Sequence, residues 1–72
     1  MPGQINLLDA VALTGDVPDR GLVRGQVGTV VECLRPDVYE VEFSDDSGRS
    51  YAQLALRGEQ LLVLHYAPQR AA

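Results

Sequence analysis

Apolar and polar residues alternate most cleanly between Val38 and Phe43, with Tyr39, Val41 and Phe43 on one side and Glu40 and Glu42 on the other. A period of two marks a strand buried on one face, because successive side chains of extended backbone point in opposite directions. The apolar set defines the inward face. Residues 27–34, Val-Gly-Thr-Val-Val-Glu-Cys-Leu, are rich in β-branched side chains and predict another strand. There Val30 and Val31 are adjacent, which interrupts the alternation, and a bulge at Gly28 would explain it by letting the strand bend sharply.

The rest of the chain carries β-type punctuation. Residues 10–14 predict a first strand, with Val11 and Leu13 alternating with Ala10 and Ala12, preceded by a short turn carrying Leu7 and Leu8. Residues 15–25 hold glycines, aspartates and Pro18, a composition that excludes a regular element, with Leu22 as an inward anchor. Arg35-Pro36-Asp37 makes a turn. Residues 44–49 make a hairpin loop that closes with Gly48 at a left-handed position. If Ser44 pairs with Arg49, Val41 faces Ala52 and Tyr39 faces Leu54 inside, while Glu42 faces Tyr51 and Glu40 faces Gln53 outside. A fourth strand over 50–56, a one-turn 3₁₀ connection over 57–60 and a last strand over 61–65 complete the series, with a frayed tail over 67–72.

Five short strands at this spacing predict an all-β fold, a small SH3-like barrel with one 3₁₀ turn before the last strand. The expected core is Val11, Leu13, Leu22, Val27, Val30, Val41, Phe43, Leu54, Leu56, Leu61 and Leu64. The 72 residues form a single domain with an ordered core over about 7–66, and net stability of roughly 3–5 kcal/mol is expected at this size.

Composition narrows the chemistry. One cysteine, Cys33, excludes an intramolecular disulfide, and one cysteine with one histidine, His65, cannot close a four-ligand zinc site. The chain has no lysine; its six arginines against ten acidic residues give a net charge of −4, which disfavours a phosphate-backbone partner. Arginine without lysine fits the codon bias of a GC-rich bacterial genome. The absence of a basic region followed by an apolar one in the first twenty residues, together with a free thiol, points to the cytoplasm. No apolar run is long enough for a membrane span.

Three segments, Leu22-Val-Arg-Gly-Gln-Val-Gly-Thr-Val-Val-Glu32, Tyr39-Glu-Val-Glu-Phe43 and Gln60-Leu-Leu-Val-Leu64, resemble in order and spacing a small bacterial family known as domain of unknown function 4926. The resemblance covers about residues 7–64 and implies a stand-alone SH3-like barrel with no assigned activity and no catalytic residues. More loosely, Gly25-x-x-Gly28-x-Val30 resembles the KOW element of ribosomal and transcription-factor domains.

Catalytic readings find little support in the residues. Gly25 and Gly28 precede a strand rather than a helix, so they do not form a phosphate-cradling loop. Glu32, Glu40 and Glu42 are expected on a convex, solvated face, where no cleft raises a carboxyl pKa. Asp45, Asp46 and Ser47 begin like a calcium loop, but Gly48 closes the turn too soon. Cys33 and His65 have no pairing signature, and Ser44, Ser47 and Ser50 lack a nucleophile elbow. No metal, cofactor or enzymatic activity is expected.

The expectation is a non-catalytic protein-interaction module, such as the small regulatory or neutralising partner of a separately encoded protein. Its candidate binding residues are Asp16, Asp19, Arg20 and Val23 of the long loop, Arg35 of the following turn, and Arg49 and Tyr51 at the hairpin. Without Trp, and with Tyr39 and Phe43 committed inward, a groove for proline-rich ligands is not expected. Two alternatives stand beside this reading. One is a self-associating structural subunit that pairs sheet edges. The other is a KOW-like nucleic-acid binder, which needs Arg20, Arg24, Arg35 and Arg49 on one face.

Overall fold

A computed structural model describes residues 4–70. Five strands, β1 (Ala10–Leu13), β2 (Val27–Arg35), β3 (Val38–Ser44), β4 (Ser50–Arg57) and β5 (Leu61–Val63), form one antiparallel sheet in the order β4-β3-β2-β1-β5. A 3₁₀ turn at Gly58–Gln60 precedes β5. The order and connections are those of an SH3-like barrel: β2 is shared by two ribbons, β5-β1-β2 and β2-β3-β4, that fold over a common core. Val11, Val30, Val41 and Phe43 are fully buried there, joined by Leu13, Leu22, Leu54, Leu56 and Leu61.

The ribbons meet at Gly28, which stands opposite Val11 on one side and Phe43 on the other. A Cβ on Gly28 would lie 2.8 Å from the Glu42 carbonyl oxygen, 2.8 Å from Val41 Cγ1 and 3.0 Å from Phe43 Cδ2. Close approach, rather than a bulge, is what requires glycine at this point. The bulge sits three residues later, between Val30 and Glu32, so Val31 absorbs the broken alternation.

That displacement corrects two expected core positions. With no bulge between them, Val27 and Gly28 point to opposite faces, so Val27 lies on the outside and is 48% exposed. Leu64 is only half-buried, because Leu61 and Val63 take the inward positions of the last strand. Alternation then turns Leu62 and Leu64 outward. The regular part of that strand ends at Val63 rather than His65.

The register of β3 on β4 differs from the expectation by two residues. Val41 faces Leu54, Tyr39 faces Leu56 and Glu42 faces Gln53, with an irregularity between Phe43 and Ser44. A two-residue slip keeps every side chain on its face, so matching polarity could not detect it. The longer loop is organised by Asp45, whose Oδ1 accepts bonds from Ser47 Oγ (2.7 Å), Ser47 N–H (2.9 Å) and Arg49 N–H (3.0 Å). Gly48 takes the expected left-handed conformation, φ 85°.

The long loop is more ordered than its composition implied. Pro18–Arg20 form a 3₁₀ turn, and Val17 and Leu22 bridge across it with N–H···O distances of 2.8 and 3.2 Å. Proline at the first position suits that turn because its missing N–H has no intrahelical partner to lose. Leu22 is the buried anchor. Of the tail expected to fray, Ala67–Arg70 has no regular structure, and residues 71 and 72 lie outside the described residues, as do residues 1–3.

Candidate partner-binding surfaces

The long loop and the β3–β4 hairpin converge at one end of the β2-β3-β4 ribbon. Asp16 Oδ1 accepts the Arg24 N–H at 2.8 Å, so this carboxylate staples the loop to itself. Gln26 does similar work: Oε1 accepts the Val23 N–H at 2.6 Å, and Nε2 donates to the Tyr51 hydroxyl at 3.1 Å. Tyr51 is half exposed and its ring lies 6.4 Å from that of Phe43, an apolar body on the core with a polar tip on the loop. Arg20 Nη2 donates to the Gln53 carbonyl at 3.4 Å, tying the 3₁₀ turn to β4. Asp19 and Arg49 are exposed nearby in the chain, and Val23 is exposed beside the Gln26 contact.

Arg35 does not join this group. It pairs with Val38, which in turn faces Arg57, at the opposite end of the ribbon from Gly28, Phe43 and Ala52. The candidate residues therefore divide: one set at the loop end, and Arg35 alone beside the 3₁₀ turn that precedes β5.

On the outer face of β2 and β3, Glu32 stands directly opposite Glu40, and Glu40 Oε2 accepts a bond from Gln53 Nε2 at 3.1 Å. Asp45 in the hairpin has its carboxyl held below the usual value of 3.8, first by the Ser47 hydroxyl, then by the Arg49 and Ser47 amides. Cys33 is exposed at the far end of β2. Among the described residues no cluster of His, Cys, Asp and Glu is placed to hold a metal ion. No helix among them is long and apolar enough to cross a membrane.

A second surface was not anticipated. Ala12 pairs with Val27 on one side and Leu62 on the other, so the three form a row across β2, β1 and β5 on the outside of the barrel. Leu62 is 58% exposed and Val27 48%, while Ala12 between them is shielded to 7%. Leu64 extends the row, its N–H bonded to the Ala10 carbonyl at 2.9 Å. The unbroken run Leu61-Leu62-Val63-Leu64 carried the signal, since a strand apolar at every position has apolar side chains on both faces.

Beside the row, the free side of β5 borders an open groove of about 630 Å³ that reaches across to Tyr39 and Asp37 at the start of β3. Ile5, packed against the core, lines it too. A smaller hollow of about 350 Å³ lies at the other side of Leu62, against Ala12 and Gly25.

No curated protein and no solved structure matches the chain. A family defined by its sequence pattern does, and the matched stretch begins at the turn before β1 and ends with β5. By that match over residues 7–63, which takes in every strand, the chain belongs to the family described as Domain of unknown function (DUF4926).

Proposed function

We propose that this domain is a non-catalytic protein-interaction module that docks a partner on the outer face of β5-β1-β2. The observation that carries this reading is the row Leu62–Ala12–Val27, aliphatic across three adjacent strands on the side away from the core, with Leu62 and Val27 in water and Ala12 shielded between them. A contiguous apolar patch on a small domain marks a surface that another molecule covers, because burying it recovers about 25 cal/mol per Å². The acidic surface of the chain, net −4, suits a protein partner better than a nucleic acid. The position of Arg35, far from Arg20 and Arg49, also weighs against a shared cationic face for RNA. A cytoplasmic regulatory or neutralising partner of a separately encoded protein fits these properties.

A second reading, self-association, draws on the same row because β5 is also a sheet edge. Affinity capture from the native host, run beside sedimentation over a range of concentrations, tests both. The expected result is one stoichiometric partner retained by the wild-type chain and lost from the Val27→Ser/Leu62→Ser variant, with the melting temperature little changed. A concentration-dependent dimer without another protein would establish self-association instead. A monomer that retains nothing would overturn the proposal.

A further inference from the structure

The two edges of the sheet are treated differently. Along β4, the Arg20 guanidinium reaches the Gln53 carbonyl and so occupies part of that strand's polar backbone. Along β5 the pattern of bonds to β1 shows which groups are left over. The Thr14 N–H donates to the Gln60 carbonyl at 3.0 Å and the Leu64 N–H to the Ala10 carbonyl at 2.9 Å, with Leu62 facing Ala12 between them. Antiparallel ladders alternate, so residues 60, 62 and 64 turn their N–H and C=O groups toward β1, while Leu61 and Val63 turn theirs away. The Leu61 N–H closes the 3₁₀ turn by donating to the Gly58 carbonyl, which leaves the Leu61 carbonyl and the Val63 N–H and carbonyl for a further strand. Those outward groups face the groove of about 630 Å³.

The groove has two sides. β5 forms one, and Asp37, Tyr39 and Gly58 form the other. An apolar floor is supplied by Ile5 and Tyr39, both packed against the core. Asp37 sits at left-handed φ 64° in the β2–β3 turn, and among the described residues its carboxylate has no ion-pair or hydrogen-bond partner. Glu59, the other acid on the groove, is paired with Arg57 at 3.0 Å. An unpaired carboxylate beside unpaired backbone groups favours a cationic residue in the incoming segment.

We propose that the β5 edge is a strand-addition site: an extended segment of a partner protein, apolar at alternate positions and carrying a lysine or arginine, pairs with the Val63 N–H and carbonyl and the Leu61 carbonyl and sets its basic side chain against Asp37. Backbone bonding supplies affinity without regard to sequence, while the floor and Asp37 select the side chains. This inference rests on the protein-interaction reading but places the contact on the strand edge rather than on the outer row.

Selection of displayed random peptides of about ten residues, longer than a typical strand, tests it. Selected peptides should alternate apolar residues with at least one lysine or arginine. In amide NMR spectra they should shift and protect the Val63 N–H group. Val63→Pro removes one outward donor and leaves the bonds to β1, so affinity should fall about tenfold or more. Asp37→Asn keeps a residue that tolerates the left-handed turn and should weaken binding a few-fold at low salt, with the difference fading at high salt.

Peptides that leave the Val63 amide unshifted, or that bind the proline variant as tightly, would overturn the strand-addition site. A chain that doubles its mass without peptide, and stops doing so on Val63→Pro, would overturn it in favour of a second copy. If no peptide is selected, the inference fails, while capture of a partner that depends on Val27 and Leu62 would still uphold the module.

Discussion

The two ribbons of this barrel share β2 yet present opposite chemistry to water. Outside β2-β3-β4, the alternation places Thr29 opposite Glu42 and Glu32 opposite Glu40, a polar surface over an apolar core. Outside β5-β1-β2, the corresponding row is Val27, Ala12 and Leu62. Both ribbons bury their inner faces equally well, so the demands of folding do not explain the second row. A strand that needs only to fold can be polar on its solvent side. The difference is the ground for the proposed docking face, on one half of a small sheet and not the other.

The sharpest separation of inner from outer positions lies within β2 itself. Val30→Ser should destabilise the domain by about 3–5 kcal/mol, from lost burial and an unpaired hydroxyl in the core, which approaches the whole stability expected at this size. Val27→Ser, three residues earlier on the outer face, should cost under about 1 kcal/mol. Urea denaturation of both variants checks the contrast; equal losses would mean that Val27 is a core residue after all.

Next in size is the joint between the ribbons. Gly28→Ala forces a methyl group against the Glu42 carbonyl and the Val41 side chain and should cost about 1–3 kcal/mol. The same urea midpoint measures it. An unchanged midpoint would show that the ribbons do not approach each other as closely as described.

A smaller effect of opposite sign is expected on the acidic side. Glu32→Gln relieves a like-charge pair directly opposite Glu40 and should stabilise by a few tenths of a kcal/mol, about 0.5 at most. Thermal melts at low and high salt would show the gain shrinking as salt screens the repulsion in the wild type.

The smallest effect is local to the hairpin. Asp45 has a lowered pKa in the folded chain, so its bonds contribute fully above the ordinary value of 3.8 and are lost as pH falls through the lower folded value. As pH falls through that lowered value the Ser47 and Arg49 amides should lose protection from exchange. In Asp45→Asn that pH dependence should vanish, which NMR titration of the two amides would reveal.

Much of the fold was legible in the residues. The alternation of Tyr39, Val41 and Phe43, the hairpin signal at Gly48 and the anchor at Leu22 all correspond to the structure. Register was not legible, because a slip of two residues leaves each face unchanged and only the Asp45-centred loop distinguishes the alternatives. The surfaces were read unevenly. Asp16, Arg20, Val23 and Tyr51 do gather around one loop end, but Asp16 and Arg20 serve the loop's own structure. Arg35 stands with them in the sequence reading as part of the following turn, and the ladder places it at the far end.

By itself the sequence determined the strand class, the inward stripe of β3 and the absence of disulfide staples, since all three depend on residue type and period. Only the tertiary structure decided which side of β5 faces water, because a run such as Leu61-Leu62-Val63-Leu64 has no polar partner to set its phase. Pairing with Ala12 and Val27 settles that phase from outside the strand, and among the described residues the same pairing leaves the far edge of β5 without a neighbouring strand.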